Sequence, residues 1–459
     1  MNKVLLSVLI GIFIGLFLTF FKGTAIMLGI IIVTGIALWH SFPKTDREFL
    51  IKLFINGISI RIILFAVLYV IMISHGGYGE LTPDSILYFL RALSNLRLWL
   101  GQNQFEFQVE GQVGENGYLY ILSFFYWLLG YNPPVANPLS IFSDKLINCL
   151  IATLAGIVVF YIAKDIFSKK VAKIASILVV FWPSILFWSM TNSRESSNIL
   201  LVCLIVLSLV RLEKLKKPEY FILLFISLFL LKMLRPYFFL VMLAIVFISL
   251  SFIFYGNLKR RFLAIISTIL LAALFFNFTV QGKAIKSNFF NWDSYILKLH
   301  LANQGVLSEG GPTYRIYDDD FLSTSRPLKV LKLIKAFLKG SAYFMFAPFP
   351  WALSSRNQIL TYPQMVVWYL IFPLVFLGIF LTVRHRLKLG FSVVCYTFIS
   401  TLFYALVEGN LATVMRHRDL ILVFYFVFFS AAIVKIFDSP ELLDDRLPDA
   451  GKAREASPL

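Results

Sequence analysis

"IAKDIFSKKVAKIASILVVFWPSILFWSMTNSRESSNILL", residues 162–201, decides how this chain is laid out. It leaves one apolar run, passes through a basic loop, "KDIFSKKVAK" at 164–173, and enters a second apolar run at 172–190. A short polar turn, "TNSRESSN" at 191–198, then leads into a third run at 197–212. A helix crosses the hydrocarbon core of a bilayer with roughly 20 apolar residues. Lys and Arg collect in the loops on the cytoplasmic side of such crossings. The stretch therefore reads as consecutive membrane crossings, with the loop 164–173 in the cytoplasm and Arg194 at the outer end.

Working outward, the same reading gives crossings at 4–20, 24–40, 53–74 and 139–163 before this stretch, and at 219–234, 237–255, 262–280, 364–383, 390–407 and 419–437 after it. The expectation is an all-α polytopic membrane protein of about twelve transmembrane helices. The basic loops "RLEKLKK" at 211–217, "NLKRR" at 257–261 and "RHRLK" at 384–388 all fall on the side of 164–173, so both termini are expected in the cytoplasm. A hydrophobic content of 59% excludes a soluble globular chain. The formal charge of +17 is gathered in short runs beside apolar segments, which assigns it to membrane flanks and not to nucleic acid. Cys149, Cys203 and Cys395 sit inside apolar runs and offer neither a disulfide framework nor metal-ligand spacing. The first run is long and lacks a small-residue cleavage site, so it reads as a retained helix. The Ile-, Phe- and Lys-rich composition points to a bacterial source, and hence to the cytoplasmic (inner) membrane.

Three parts follow: an N-terminal hairpin at 1–50, a transmembrane core at 51–437 carrying outer loops 75–138 and 281–363, and a polar, aperiodic tail at 438–459 expected to be disordered. In the first loop, "PDSILYFLRALSNLRLWL" and "GYLYILSFFYWLLG" are apolar but unsuited to crossing, and read as interfacial helices. In the second, "PLKVLKLIKAFLKG" spaces Lys329, Lys332, Lys335 and Lys339 as a basic amphipathic surface helix, followed by a re-entrant turn at "FAPFPWAL".

The functional signal is charge on the unexpected side. Arg384 and Arg386 are ordinary cytoplasmic anchors, but the near-repeat "TVMRHRDLI" puts Arg416, His417 and Arg418 at an outer helix start. Arg194, Lys232 and Arg235 join them there. Either these cations decorate separate helix ends, or they converge on an anion, for which phosphate is the natural partner of guanidinium groups. Each also has a structural reading. Asn192 and Glu195 have capping-box spacing, Arg194 can snorkel to headgroups, Arg235 before Pro236 marks a tight turn, and His417 is a proton shuttle or a hydrogen-bonded filler. Asp84 and Tyr88 lie one helical turn apart in "GELTPDSILYFLRA". Asp84 is either a charge favoured by a helix N-terminus or a carboxylate suited to removing a hydroxyl proton. Asp318–Asp320 read as a solvated acidic run, and Asp144 with Lys145 as a local pair.

In this arrangement "PDSILYFLRA", "NGYLYILSFFYWLLGYNP" and 162–201 resemble segments of the multi-spanning GT-C type glycosyltransferases, specifically the protein O-mannosyltransferase and lipid A aminoarabinose transferase superfamily. The resemblance covers roughly 75–260, and "LRPYFF", "APFPW" and "EGNLATVMRHRDLILVF" are similar to segments of envelope-polysaccharide members. Two extra crossings precede the first outer loop, and the family's acidic pair is missing beside Asp84, with Glu80 four positions earlier instead. The resemblance implies a GT-C-like fold and transfer of a sugar from a polyprenyl-phosphate carrier to an acceptor hydroxyl at the outer face, in envelope glycan or glycolipid assembly. It implies Asp84 as the catalytic carboxylate and Tyr88, Arg194, Glu195, Arg235, Arg416, His417 and Arg418 as substrate-binding residues. Implied partners are the lipid-linked sugar donor, a glycan, lipid or protein acceptor, and membrane lipids. A divalent metal is left open. The alternatives are a lipid-linked oligosaccharide polymerase or ligase, a transporter or flippase of a lipid-linked anion, and a non-catalytic accessory subunit that binds lipid phosphate.

Overall fold

The computed structural model describes residues 22–74, 81–102, 116–130, 140–254, 300–301, 303–304, 313–318, 320–321, 326–353 and 356–437. Over these the chain is all-α, and the β-type contact there is the isolated bridge between Thr313 and Asn410. The helices are α1 (Lys22–Ser41), α2 (Lys44–Ser74), α3 (Pro83–Trp99), α4 (Asn116–Leu128), α5 (Ser140–Ile166), α6 (Lys169–Phe181) and α7 (Pro183–Ser189). They continue as α8 (Glu195–Leu215), α9 (Glu219–Leu234), α10 (Pro236–Phe254), α11 (Arg326–Phe346), α12 (Arg356–His385), α13 (Leu387–Val407) and α14 (Leu411–Phe437).

Among the described residues, seven helices are long and apolar enough to cross a membrane: α1, α2, α5, α10, α12, α13 and α14. The expected crossing at 172–190 is instead two helices, α6 and α7, bent by 53°. The break is at Trp182, which is extended because Pro183 follows it and Pro removes a helix donor. Counted as one broken span, the pair makes eight. At 197–212 and 219–234 the chain is helical as α8 and α9, outside that set of seven. The expected crossings at 4–20 and 262–280, the basic loop 257–261, Glu80 and the tail from 438 lie outside the described residues.

The core of the bundle is α5 and α14, most of whose apolar stretch is buried, whereas α1 and α12 are largely uncovered. In lipid, apolar side chains gain little by leaving their surroundings, so helices associate through close packing at small residues. Gly57 and Gly156 serve this purpose on α2 and α5, since a Cβ would meet Val180 of α6 at 2.8 and 2.3 Å.

Charges sort to the two ends. At one end the basic loops meet acids, two of them buried: Asp46 holds Lys164 and Lys169 and Glu213 holds Lys388 at 3.4 Å, while the half-buried Asp165 holds Arg211 and Lys214 at 3.1 and 2.8 Å. At the opposite end lie the loop helices. α3 begins with Thr82 as its cap, accepting from the Ser85 N–H at 3.3 Å, and with Pro83 in the first turn, where its missing N–H is not needed. α4 packs on α3 through Tyr88 against Tyr118, Phe89 against Tyr126, and a Ser123 hydroxyl donated to Ala92 O at 2.9 Å. It also packs on the end of α9, where a Cβ on Gly117 would meet Met233 O at 2.3 Å. α11 exposes Leu328, Leu331, Ile334 and Leu338, the apolar face expected of a surface helix. Its lysines collect the acidic run, with Lys332 to Asp320 at 2.5 Å and Lys335 to Asp318 at 3.1 Å, so those carboxylates are held on α11. Residues 347–353 are irregular, and Trp351 there is 81% exposed.

Candidate functional site

The turn between α7 and α8 is fixed from below. Asp144, fully buried at the start of α5, accepts from Asn192 Nδ2 at 2.7 Å and the Tyr126 hydroxyl at 2.9 Å, and pairs with Lys145 at 2.9 Å. Asn148 donates to Thr191 O at 2.7 Å and to Ser193 O at 3.3 Å. Asn192 is thus committed to Asp144, and α8 starts without a side-chain cap, so the capping box that the spacing allowed does not form. Glu195, the first residue of α8, faces elsewhere.

It faces Arg235. α9 ends at Leu234 and α10 starts at Pro236, and between them Arg235 is non-helical, with its N–H still bonded to Leu231 O at 2.8 Å. From this break its Nη2 reaches Glu195 Oε1 at 2.9 Å, and Nη1 lies 3.4 Å from the Tyr404 hydroxyl of α13. Both members of the ion pair are almost fully buried, at 4% and 5% exposure. A buried pair survives only with good geometry, and here each partner sits where a helix end leaves room for it. Arg194 donates to Leu234 O at 3.3 Å, covering a carbonyl at the open end of α9. Lys232 is exposed and takes no part.

α14 brings the third cation. Arg416 Nη2 lies 2.5 Å from Asp84 Oδ2 in the first turn of α3, and its guanidinium carbon lies 4.7 Å from the Trp188 ring centroid at the end of α7. This pair is open: Asp84 is 45% exposed and Arg416 20%. His417 turns toward α13, where its ring stacks on Tyr404 at 4.5 Å and its Nδ1 is hydrogen-bonded to Glu408. The Glu195 carboxylate feels the charges of Arg235, His417, Arg194 and Arg416 together, and Arg235 feels Tyr88. Asp84, Tyr88, Arg194, Glu195, Arg235, Arg416 and His417 therefore occupy one end of the bundle, contributed by α3, α8, the α9–α10 break and α14.

Arg418 does not join them. Two residues beyond Arg416 on a helix is the opposite face. Its guanidinium is buried against the end of α11, donating to Ala347 O at 2.8 Å and Met345 O at 3.2 Å. The neighbouring Asp419 accepts from Ser184 Oγ at 2.7 Å, beneath the α6–α7 bend.

Three residues of this end were not singled out from the sequence: Trp188, Tyr404 and Glu408. The signal for Glu408 was present, as a lone acid closing an apolar run eight positions before Arg416. As to a metal, Asp84, Glu195 and Glu408 are engaged by Arg416, Arg235 and His417 respectively. Among the described residues no three His, Cys, Asp or Glu side chains form a metal-binding group.

No protein-family model matches the sequence, and no curated protein matches it. Among solved structures, the chain is similar to the archaeal oligosaccharyltransferase AglB from Archaeoglobus fulgidus, in a complex with an inhibitory peptide and a dolichol-phosphate, with 12% identity and a TM-score of 0.45 over 84% of this chain. It is also similar to the apo form of the Archaeoglobus fulgidus oligosaccharyltransferase, with 11% identity and a TM-score of 0.44. The chain spans about half the length of these structures, 50% of each.

Proposed function

We propose that this chain is a membrane glycosyltransferase that moves a sugar from a polyprenyl-phosphate carrier to an acceptor hydroxyl at the non-cytoplasmic face of the membrane. One observation carries the reading: Arg194, Arg235 and Arg416, brought from separate helix ends, all lie close enough to act on the Glu195 carboxylate, and Arg416 also pairs with the half-exposed Asp84. Ionisable groups placed at membrane depth are functional candidates by default, because each is expensive to keep there without a task or a partner. The two ion pairs divide the labour. Glu195–Arg235 is sealed and gives a rigid floor, whereas Asp84–Arg416 is open to solvent. A carboxylate oxygen at 2.5 Å from Arg416 stands where a phosphate oxygen of the donor would bind, since both are anionic acceptors for the same guanidinium edge.

In the reaction the acceptor oxygen forms a bond to the anomeric carbon while the bond from that carbon to the phosphate oxygen breaks, and the bonding pair stays with the phosphate. Arg416, seated on Trp188, meets that developing charge, and Arg194 adds to the positive potential. Fixed cations aimed at a leaving anion need no reorganisation during the step, which is the usual source of large electrostatic rate gains.

The test uses the purified protein in lipid nanodiscs with a polyprenyl-phosphate sugar carrying a radiolabel. Saturable donor binding that weakens about 10- to 100-fold in Arg416→Ala supports the assignment, in line with roughly 1.5–3 kcal/mol for a hydrogen bond to a charged group. Donor binding indifferent to both Arg416→Ala and Arg194→Ala overturns it. Product length separates a transferase, which adds one unit, from a polymerase, which gives a ladder.

A further inference from the structure

We infer that His417, oriented by Glu408, is the general base that takes the proton from the acceptor hydroxyl. This assignment rests on the transferase reading, and it gives His417 the task that the sequence resemblance gives to Asp84. The geometry is that of a positioned dyad. Glu408 is the C-cap residue of α13 and is almost completely buried, with 2% exposure. One of its carboxylate oxygens is bonded to His417 Nδ1, and the other accepts from Thr413 Oγ1 at 2.7 Å. Tyr404 covers a face of the imidazole at 4.5 Å. With Nδ1 committed, Nε2 remains as the ring's second proton site, and 19% of the side chain stays open.

The turn that carries Glu408 is itself clamped. Asn303 donates to Val407 O at 3.1 Å and to Glu408 O at 3.0 Å, the Tyr314 N–H donates to Gly409 O at 2.7 Å, and the Tyr317 hydroxyl donates to Leu406 O at 2.8 Å. These bonds hold the backbone from which the Glu408 side chain projects, and a catalytic group needs such a fixed base because a misplacement near 1 Å is costly in rate.

Chemistry favours the imidazole over the carboxylate of Asp84. A base works best when its pKa lies near the working pH, which suits imidazole. Asp84 is instead the carboxylate partner of Arg416, the cation assigned above to the donor phosphate. The proton balance is then closed: the acceptor O–H gives its proton to His417 Nε2, its oxygen attacks the anomeric carbon, and the phosphate departs with the pair from the broken C–O bond. The charge gained on the imidazole is met by Glu408, the orienting role that a carboxylate plays in His-based dyads and triads.

The charged and titratable groups around His417 are Glu408 and Tyr404 from α13, Arg235 from the α9–α10 break, Glu195 from α8, and Arg416 on its own helix. Removing the Glu408 charge lowers the basicity of the imidazole. Since the neutral imidazole is the active form, the acid limb of the kcat profile moves to lower pH in Glu408→Gln. The decisive variant is His417→Asn, whose amide N–H can keep the bond to Glu408, and with it the fold, while Nε2 is lost.

In nanodiscs with polyprenyl-phosphate sugar and acceptor, His417→Asn is expected to lose about 10²- to 10⁴-fold in kcat. Its donor affinity is expected to stay within about threefold of the parent, since uniform binding is not what the mutation removes. Glu408→Gln is expected to show the shifted acid limb. Full turnover in His417→Asn, or a parental pH profile in Glu408→Gln, overturns the dyad and leaves the transferase reading standing. A parent protein that fails to bind the donor overturns the transferase reading, and the dyad with it.

Discussion

Arg416 and Asp84 form an ion pair at 2.5 Å that ties α14 to α3, a helix of the first long loop. The pair is half open to solvent on the Asp84 side, and such pairs contribute only about 0–1 kcal/mol. It is therefore exchangeable, and an incoming phosphate displaces the carboxylate. Asp84→Asn removes the competitor, so the donor is expected to bind more tightly, by up to about fivefold. Isothermal titration with polyprenyl phosphate alone reads this directly. Weaker binding in Asp84→Asn means that Asp84 holds the donor by contacts of its own and that the exchange picture is wrong.

The Glu195–Arg235 pair behaves oppositely because it is sealed. Breaking it by Glu195→Gln leaves a buried guanidinium with Tyr404 as its polar side-chain partner, at an expected cost of about 3–5 kcal/mol. Replacing both residues with apolar ones of similar volume, Glu195→Leu with Arg235→Met, is expected to cost less than either single change, since no charge is then stranded. Thermal unfolding in detergent for the two singles and the double gives the comparison. Additive losses in the double would show that the two side chains are not energetically coupled.

What the sequence revealed follows the strength of each physical signal. Apolar length is a strong signal, and the helices at 24–40, 53–74, 139–163, 237–255, 364–383, 390–407 and 419–437 are legible from it. Length alone hides the bend at Trp182, although Pro183 in the middle of the run at 172–190 marks a lost helix bond. Arg194, Arg235 and Arg416 stand out because the crossings put them at the end of the bundle opposite the basic loops, where the charge bias expects few cations. The same rule sweeps in Arg418, because charge bias carries no information about which helix face meets which neighbour. Arg418 lies on the buried face toward α11, and only packing reveals that. Glu408 escapes for the converse reason: one acid at the end of an apolar run marks a boundary until its partner, His417, is seen beside it.

Arg418 has a different expected phenotype from Arg416. It bridges the carbonyls of Met345 and Ala347, and so joins the end of α11 to α14. Arg418→Ala leaves these buried acceptors without that donor, each worth roughly 1.5–3 kcal/mol when the donor is charged. The melting temperature is expected to fall, while the folded fraction binds polyprenyl phosphate with parental affinity. A loss of affinity without a loss of stability would return Arg418 to the site.

Three glycines separate packing from backbone effects. A Cβ on Gly340 of α11 would lie 1.8 Å from Ala405 O of α13, and one on Gly378 of α12 would lie 1.9 Å from Phe428 O of α14. Neither obstacle is a flexible side chain, so Gly340→Ala and Gly378→Ala must push whole helices apart, and a loss at or above about 1–3 kcal/mol is expected. A methyl on Gly29 of α1 would meet nothing within 4 Å, and Gly29→Ala is expected to be neutral or slightly stabilising, since it only restricts the unfolded chain. The Gly340 change carries a second consequence. Ala405 lies three residues before Glu408, so displacing α13 there shifts the clamped turn that positions His417. Gly340→Ala is thus expected to lower turnover in the molecules that remain folded, whereas Gly378→Ala lowers the melting temperature with little change in turnover per folded molecule. Scanning calorimetry paired with single-turnover transfer distinguishes the two. Equal loss of turnover in both variants would show that the turn at Glu408 does not depend on how α11 seats against α13.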